Sequence, residues 1–350
     1  MELKTFARAV ALGTTLLLAG GAVPASTLAQ AAPAPSGSQA QVLATSAPTA
    51  TGAVPRAAWS GAIRTSDQAA VNDAYWKSWA PAQTLRTGWG GDLSGCRAGA
   101  PSAESRTATL GAINFVRSLG GLAPVSFDPK LDATAQSAAL IMSANKALSH
   151  APPSSWRCYS SVGRSSAGKS NLALDPSGLT AGQAVDLYMS EPGAANYVVG
   201  HRRWVMNPFA VTMGSGATDT AHALTVIGAK STSRPNPSWV PWPTKGWFPS
   251  TMEPDGRWSL SAGASMDLRY ASVRVTRDGT AIKAVKQRVV NGYARPTLVF
   301  QVPASLATSG TFKVSVTGIR RAGTSKRYST SWTTTMFTPQ APAPATQPAP

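Results

Sequence analysis

The hydrophobic periodicity of this chain changes near residue 230, and this change limits what the chain can fold into. Upstream, apolar residues recur at helical spacing. Downstream, short runs of alternating apolar residues follow one another without a helix signal. About seven such runs over residues 257–338 predict a β-sandwich of immunoglobulin-like type. The predicted fold class is therefore α+β, with a mainly helical domain followed by an all-β domain.

Local signals place the helices and one hairpin. Ser102 can cap a helix that ends at Gly120-Gly121, and Asp128-Pro129 is a favoured start for the next helix. Thr180 and Gln183 have the spacing of a capping box before a third helix. Further predictions are a short helix at 67–79, a fourth helix at 196–204, strands at 211–216 and 222–228, and a hairpin around Asp278-Gly279.

The ends of the chain have compositions typical of segments without a core of their own. Residues 1–31 resemble a secretory signal peptide, with an apolar stretch after Lys4 and Arg8 and cleavage after Ala29 or Ala31; an uncleaved anchor is the alternative. No transmembrane segment is predicted in the mature chain, which is expected to be secreted and extracellular. The other predicted divisions are a low-complexity linker at 32–55, an N-terminal extension with a short helix at 56–103, a helical domain at 104–230, an irregular Pro/Trp-rich linker at 231–256, the sandwich at 257–338 and a disordered Pro/Ala tail at 339–350.

Charge is distributed unevenly between the two predicted domains. The chain has 32 Lys and Arg against 15 Asp and Glu, a formal net charge of +17. Residues 101–230 contain 10 basic and 7 acidic residues, whereas residues 231–338 contain 15 basic and 4 acidic residues. No recognition helix or aromatic–basic RNA motif accompanies this charge, so nucleic acid is not an expected partner. Anionic cell-envelope polymers or lipid head groups are the expected partners of the basic sandwich, with solubility alone as the alternative.

Cys96 and Cys158 are the two cysteines of the chain. In an exported protein an even number predicts a disulfide between them, which would join the segment before one long helix to the loop after the next. The absence of a C-x-x-C pair from the sequence gives no support to a cysteine zinc cluster or to thioredoxin-like chemistry.

The helical domain contains a series of short motifs in a recognisable order. In chain order they are Asn114-x-x-Arg117, Asp128-x-x-Leu131-x-x-x-Ala135-Gln136, Ser149-His150, Ser170-Asn171-Leu172-Ala173, Tyr188-Met189-Ser190-Glu191 and Gly200-His201-Arg202-Arg203-Trp204. Over about 104–229 this series resembles the CAP superfamily (cysteine-rich secretory proteins, antigen 5 and pathogenesis-related proteins, or the SCP-like extracellular domain) in its divergent bacterial secreted form. No H-E-x-x-H, P-loop or G-x-S-x-G motif is present in the sequence.

The resemblance implies an α-β-α sandwich with a cleft that holds two histidines and two glutamates. By motif, His150 and His201 are the histidines and Glu191 is one acid, while Ser170 stands where the second acid belongs. These four residues are the candidate cleft for a small ligand or a lipid. His150, Glu191 and His201 could still bind zinc or another divalent ion with one open position, at lower affinity because a negative charge is missing and Lys169 adds a cation.

Structural roles for the same residues remain open at this stage. His150 could donate to carbonyls at a helix C-terminus, and His201 could be a core histidine paired with Glu191. His222 is expected at a strand edge. Structural hydrogen bonds are expected for Asn114 and Arg117, and the Arg202-Arg203 pair is expected to place one guanidinium against an acid and the other in solvent.

The motifs and the missing acid together favour a non-enzymatic ligand- or metal-binding module that acts at or outside the bacterial cell envelope, with no catalytic residue assigned. One alternative is a metal-assisted hydrolase of cell-wall or peptide substrates in which His150, Glu191 and His201 hold the ion. The other is a surface adhesion protein that binds polyanions through the basic sandwich.

Overall fold

The computed structural model describes residues 28–30, 62–253 and 255–342. Most of the predicted signal peptide, all of the predicted linker 32–55 and residues 343–350 of the predicted tail lie outside the described residues. Helices and strands both contribute extensively to the described ranges, which confirms the α+β class. Within those ranges, no helix combines the length and the apolar character needed to cross a membrane.

The helices begin where the predicted caps lie. Ser102 Oγ accepts the Ser105 N–H at 3.0 Å, and an Asp128 carboxylate oxygen accepts the Lys130 N–H at 2.8 Å. Thr180 and Gln183 make both bonds of a capping box, at 2.9 and 3.2 Å. The helices are α1 (Gln68–Ala74), a π-helical turn (Tyr75–Trp79) that leads into α2 (Ala80–Thr84), then α3 (Ala103–Leu119), α4 (Pro129–Asn145), α5 (Ser161–Ala167), α6 (Gln183–Ser190) and α7 (Gly200–Val205).

The first sheet lies between helices. Its strands are β1 (Leu28–Gln30), β2 (Ser126–Phe127), β3 (Ser170–Leu174), β4 (Thr212–Ala217) and β5 (Ala221–Thr225), in the order β1-β3-β5-β4-β2. On one face, apolar residues of α4 and α5 pack with Leu172 and Ala223; on the other, those of α3 and α6 pack with Ala173 and Leu224. The edge strand β1 belongs to the predicted signal peptide, so cleavage after Ala31 would remove it from β3.

Two glycines allow helix α4 to lie directly on this sheet. A Cβ added at Gly216 would stand 2.1 Å from the Gln136 nitrogen, and one at Gly214 would stand 2.4 Å from the Leu131 carbonyl carbon. Gln136 uses this close approach to accept the Ala217 N–H at 2.9 Å and to donate to the Ala217 carbonyl at 3.0 Å. The helix is therefore held on the strand by a side-chain amide as well as by apolar packing.

The second half of the described chain forms two sheets. The strands are β6 (Trp239–Trp242), β7 (Gly246–Pro249), β8 (Arg257–Ala262), β9 (Met266–Asp267), β10 (Ser272–Arg277), β11 (Thr280–Ile282), β12 (Val285–Lys286), β13 (Thr297–Gln301), β14 (Gly310–Arg321) and β15 (Arg327–Phe337). One sheet has the order β12-β13-β8-β6, and the other has β11-β10-β14-β15-β7 with β9 beside β14. The rings of Trp258 and Phe312 meet between them at 5.1 Å. The immunoglobulin-like type stays a prediction.

The segment 231–256 differs from the irregular linker that its composition predicts. It contains β6 and β7, each at the edge of a different sheet. Pro241 and Pro249 obscure the strand pattern in the sequence, but an edge strand tolerates a residue without an N–H on its free side. Trp242 from this segment is buried in the core, with its ring 4.9 Å from that of Phe248.

The register of the sandwich follows the predicted alternation, with one informative exception. Alternate residues of β14, Phe312, Val314 and Val316, are fully buried, and Asp278 and Gly279 form the predicted hairpin turn with φ of 48° and 84°. In β13, however, Val299 is buried as well as its neighbours. It pairs with Ser259, whose hydroxyl contacts Arg202 of α7. The outer face of this sheet is therefore covered by the helical domain.

Cys96 and Cys158 form the predicted disulfide, which joins two loops 62 residues apart in sequence. Closing a loop of this length stabilises a protein by restricting its unfolded chain, typically by about 2–4 kcal/mol. We expect the Cys96→Ser/Cys158→Ser double variant to melt about 6–12 °C below the parent in a calorimetric scan. Reducing the parent should reproduce the loss, and titration of two free thiols in the unreduced native protein would contradict the bond.

Candidate functional site

Glu191 and His201 form a buried pair at the corner between α6 and α7. His201 Nδ1 and Glu191 Oε2 are 2.6 Å apart, and both side chains are 0% exposed. The other carboxylate oxygen accepts the Arg202 N–H at 2.9 Å. Glu191 itself ends α6 in the left-handed conformation, with φ of 57°. The carboxylate therefore holds the first turn of α7 against the end of α6.

Other protein groups also surround His201. The ring of Tyr188 stacks on the imidazole with centroids 5.4 Å apart, and Asn171 Nδ2 donates to the His201 carbonyl at 3.1 Å. His201 Nε2 is buried and has no hydrogen-bond partner within the described part of the chain. A ligand could therefore reach this nitrogen only if the surrounding protein opened, because the side chain is 0% exposed.

His150 and Ser170 lie against α5. His150 Nδ1 is 2.8 Å from the carbonyl of Ala167, the last residue of that helix, which matches the structural role that the sequence left open. Ser170 Oγ donates to the Ser166 carbonyl at 2.7 Å. Because side chains alternate along a strand, Ser170 faces α5 whereas the next residue bonds to His201. Among the four predicted cleft residues, Glu191 and His201 are therefore bonded to each other, whereas His150 and Ser170 each bond to α5.

These contacts do not fit the predicted three-ligand metal site. Both Glu191 oxygens and His201 Nδ1 already have partners in the pair and in α7, and His150 bonds to a different helix. Across residues 62–253 and 255–342, no group of three or more His, Cys, Asp and Glu side chains could hold a metal ion. A site with two histidines and one carboxylate needs three donors converging on one point, so binding would require these pairs to rearrange.

His222 is in the middle of the sheet, so its prediction as a strand-edge residue is wrong. Strand β5 lies between β3 and β4, and the imidazole bonds to Tyr188 Oη and Ser215 Oγ, each at 3.0 Å. Burial lowers the pKa of His222 to about 4, which keeps the ring neutral at physiological pH. The two-residue spacing from His222 to Leu224 places both on one face of β5, but the central place of that strand follows from strand order.

Arg202 is paired with an acid, as predicted for one of the two arginines, but Arg203 is buried as well, so the prediction of a solvated guanidinium is wrong. Arg202 donates to the Arg257 carbonyl at 2.7 Å and lies 3.4 Å from the Glu253 carboxylate. The Arg203 guanidinium donates to backbone carbonyls of residues 290, 293 and 295. Both arginines of α7 therefore bind the second half of the chain, which covers them.

Reciprocal contacts complete this boundary. Arg257, at the start of β8, donates to the carbonyls of Glu191 and Gly193. Within the helical domain, Asn114 bonds to both backbone groups of Val125, and Arg117 donates to carbonyls that include that of Val205, as predicted. The α6–α7 corner is thus held from both sides, and the buried pair lies inside it.

Comparison with known families gives one match. Residues 110–227 match the model of the cysteine-rich secretory protein family, CAP. The chain contains a CAP domain. The Glu191–His201 corner, His150, Ser170 and the first sheet from β2 to β5 all lie inside the matched range. The strands of the sandwich lie outside it.

Other comparisons add little to the CAP match. No curated protein matches the chain. Among solved structures, PcoC, a methionine-rich copper resistance protein from Escherichia coli, aligns at 13% identity and a TM-score of 0.23, covering 28% of this chain and 93% of that one. Its selenomethionine form aligns at 12% identity and a TM-score of 0.22, covering 28% and 95%. Likeness at this level carries no argument about fold or function.

Asp186 gives the CAP domain a predictable pH dependence. This half-buried carboxyl on α6 has its pKa raised to about 7, by burial and then by the negative charge of Asp255. A carboxyl with a raised pKa in the folded state stabilises the protein at low pH, below about 4, and this stabilisation is lost as the pH rises towards 7. We expect the free energy of unfolding of Asp186→Asn to equal that of the parent near pH 4. Above pH 7 it should exceed that of the parent by about 1–3 kcal/mol, as measured by unfolding in urea.

The comparison needs a matched control because His222 acts in the opposite direction. Its lowered pKa destabilises the fold as the pH falls from 6.5 towards 4, but equally in parent and variant. Asp73→Asn changes an exposed carboxylate of α1. It should leave the change in unfolding free energy between pH 4 and pH 7 the same as in the parent. A pH-independent effect of Asp186→Asn would contradict the prediction.

Proposed function

We propose that this protein is a secreted CAP protein that binds a ligand at or outside the bacterial cell envelope without catalysing a reaction on it. The observation that carries the non-catalytic part of the proposal is the 0% exposure of both Glu191 and His201. A general base or a metal ligand must reach its substrate, and neither side chain does so. The predicted signal peptide and the Cys96–Cys158 disulfide support export.

The contacts around the pair support a structural role for it. Glu191 orients α7, and α7 presents Arg202 and Arg203 to the sandwich. The family motif would assign Glu191 and His201 to ligand chemistry. In this chain they instead help to join the CAP domain to the sandwich. For hydrolysis, the sandwich would have to leave the α6–α7 corner and expose the pair.

Turnover assays test this proposal against the metal-assisted hydrolase. Purified protein, first stripped of metal and then supplied with zinc, is incubated with peptidoglycan and with a peptide substrate. We expect no product in either state. Product formation that is lost in His201→Gln, a variant whose amide can still donate to Glu191, would overturn the proposal. Product that persists in His201→Gln would be assigned to another site or a contaminant and would leave the closed pair intact.

A second candidate function, adhesion to polyanions, is favoured by the outer face of the larger sheet. Strands β10, β14 and β15 contain no acidic residue. Arg274 and Lys313 are exposed, and the positions that flank them on this face are serines and threonines. A hydroxyl-rich face with uncompensated cations suits an anionic polymer, through attraction that salt screens.

Retention on isolated cell walls tests this second candidate. We expect salt to elute the Arg274→Gln/Lys313→Gln double variant earlier than the parent. The matched control is Lys130→Gln/Lys146→Gln, which removes the same charge from exposed lysines of the CAP domain. Equal shifts for the two double variants would show that net charge alone governs retention, and would contradict a binding face.

A further inference from the structure

A cleft lies between the CAP domain and the sandwich, away from the Glu191–His201 pair. Its volume is about 540 Å³, within the range of small-ligand sites. Trp204, Asn207, Phe209 and Lys230 line it from the CAP side, and residues between 264 and 296 together with Ala322 line it from the sandwich. Neither domain forms this cleft alone, so the docking through α7 creates it.

Two half-buried aromatic rings give the cleft its accessible apolar surface. Phe209 comes from the CAP domain and Tyr293 from the sandwich, while Trp204 is only 2% exposed. The faces of aromatic rings carry partial negative charge, and the C–H groups of a pyranose ring carry partial positive charge. The apolar face of a sugar can therefore pack on such rings, while its hydroxyl groups remain available for hydrogen bonds.

The charged groups of the cleft leave one described cation, Lys230, without an acidic partner. Asp267, the acid of the lining, accepts from Arg269 through the backbone N–H at 2.9 Å, Nε at 3.0 Å and Nη2 at 2.8 Å. Lys230 is exposed and has no acidic partner in the described ranges; its Nζ lies 6.0 Å from the centre of the Trp204 ring. An anionic group beside Lys230 would meet a full positive charge.

Amide groups of the lining can bond to neutral polar atoms. Asn207 is only 4% exposed; its Oδ1 accepts the Phe209 N–H at 3.2 Å, and its amide nitrogen carries N–H donors. Asn291 is exposed at the rim on the sandwich side. Aromatic rings, amides and an ammonium group without an acidic partner can contact the ring, the hydroxyl groups and the carboxylate of an acidic sugar.

We propose that this cleft binds an acidic saccharide, with a pyranose ring against the aromatic residues and its carboxylate beside Lys230. The proposal goes beyond a binding role for the CAP domain, because it assigns a site that uses neither Glu191 nor His201. It is also distinct from the polyanion face of the larger sheet, since Arg274 and Lys313 do not line the cleft.

Calorimetric titration of the full chain with a hyaluronan tetrasaccharide, and with its carboxyl-reduced form, tests the proposal. We expect the acidic sugar to bind and the reduced form to bind about tenfold more weakly, because the charge-assisted contact is lost. Lys230→Gln should weaken the acidic sugar about tenfold and leave the reduced form unchanged. Tyr293→Ala should weaken both, since it removes the ring and retains the backbone carbonyl that Arg203 binds.

Two controls separate this site from the alternatives. Lys146→Gln, an exposed lysine elsewhere in the CAP domain, and Arg274→Gln/Lys313→Gln should leave affinity for the tetrasaccharide unchanged. Absence of binding, or equal affinity for the two sugars, would overturn the proposal. Binding of decanoate that is lost in Tyr293→Ala, with no binding of the tetrasaccharide, would assign the cleft to a lipid and would also overturn the proposal.

Discussion

Glu191→Ala is expected to lower the free energy of unfolding by about 3–5 kcal/mol, a large part of what holds a domain folded. The carboxylate is fully buried and bonds to His201 Nδ1 at 2.6 Å and to the Arg202 N–H at 2.9 Å. Alanine leaves both donors buried without a partner, and each loses its bond without regaining water. Equilibrium unfolding in urea, with fluorescence of the tryptophans as the signal, measures the loss.

Two control variants separate the effect of removing a charge from the effect of removing it at this buried position. Glu104→Ala removes an exposed glutamate from the first turn of α3 and should cost no more than about 1 kcal/mol. Glu191→Gln keeps the size of the side chain and one acceptor oxygen, so its effect should lie between the two. A cost below about 1 kcal/mol for Glu191→Ala would show that the pair contributes little to the fold.

Arg202→Met is expected to cost a comparable amount, about 3–5 kcal/mol, for a related reason. The guanidinium donates to the Met189 carbonyl at 2.7 Å and lies 3.4 Å from the Glu253 carboxylate, which also accepts the Trp242 indole N–H at 2.6 Å. Methionine fills similar space but leaves a buried carboxyl without its cation. Burial already raises the pKa of Glu253 to about 7, so this carboxyl will then tend to take up a proton.

A double-mutant cycle with Glu253→Gln isolates this interaction. The Arg202→Met/Glu253→Gln protein should be more stable than the sum of the two single changes predicts, by at least about 1 kcal/mol. Arg203→Met is the matched comparison, because Arg203 donates to carbonyl oxygens and forms no ion pair with a described residue. It should show no coupling to Glu253→Gln. An additive cycle for Arg202 would contradict the ion pair.

The features predicted correctly from the sequence depend on neighbouring residues. The caps at Ser102 and Asp128, the capping box and the hairpin at Asp278-Gly279 each involve residues within about four positions of one another. The Cys96–Cys158 bond is not local, but two cysteines leave one pairing. Features of this kind can be predicted from the sequence without knowledge of the tertiary fold.

The incorrect predictions depend on contacts that the sequence does not reveal. The burial of Arg202 and Arg203 results from carbonyl oxygens more than fifty residues away. The position of His222 depends on strand order, because β5 is central only once β3 pairs beside it. The strand β6 depends on β8 for its register. In each case an isolated segment has the composition of a surface or a loop, and packing by a distant segment changes its environment.

The candidate cleft shows how one family motif can have a different role in this chain. Glu191 and His201 stand at the positions that the resemblance indicates, and they are adjacent in space. Ser170, in place of the second acid, bonds to α5, and the sandwich covers the α6–α7 corner. The charge that would complete an ion site is missing, and the remaining pair is enclosed by protein.

The reactivity of the histidines tests most directly whether this pair is closed. The chain has only His150, His201 and His222, so mass spectrometry can follow each after treatment with diethyl pyrocarbonate. The structure predicts that His201 reacts more than about a hundredfold more slowly in the folded protein than in urea, because reaction requires an opening that costs several kcal/mol. Reaction of His201 in the folded protein within about twofold of the unfolded rate would contradict the closed pair, and with it the argument that this pair cannot act in catalysis.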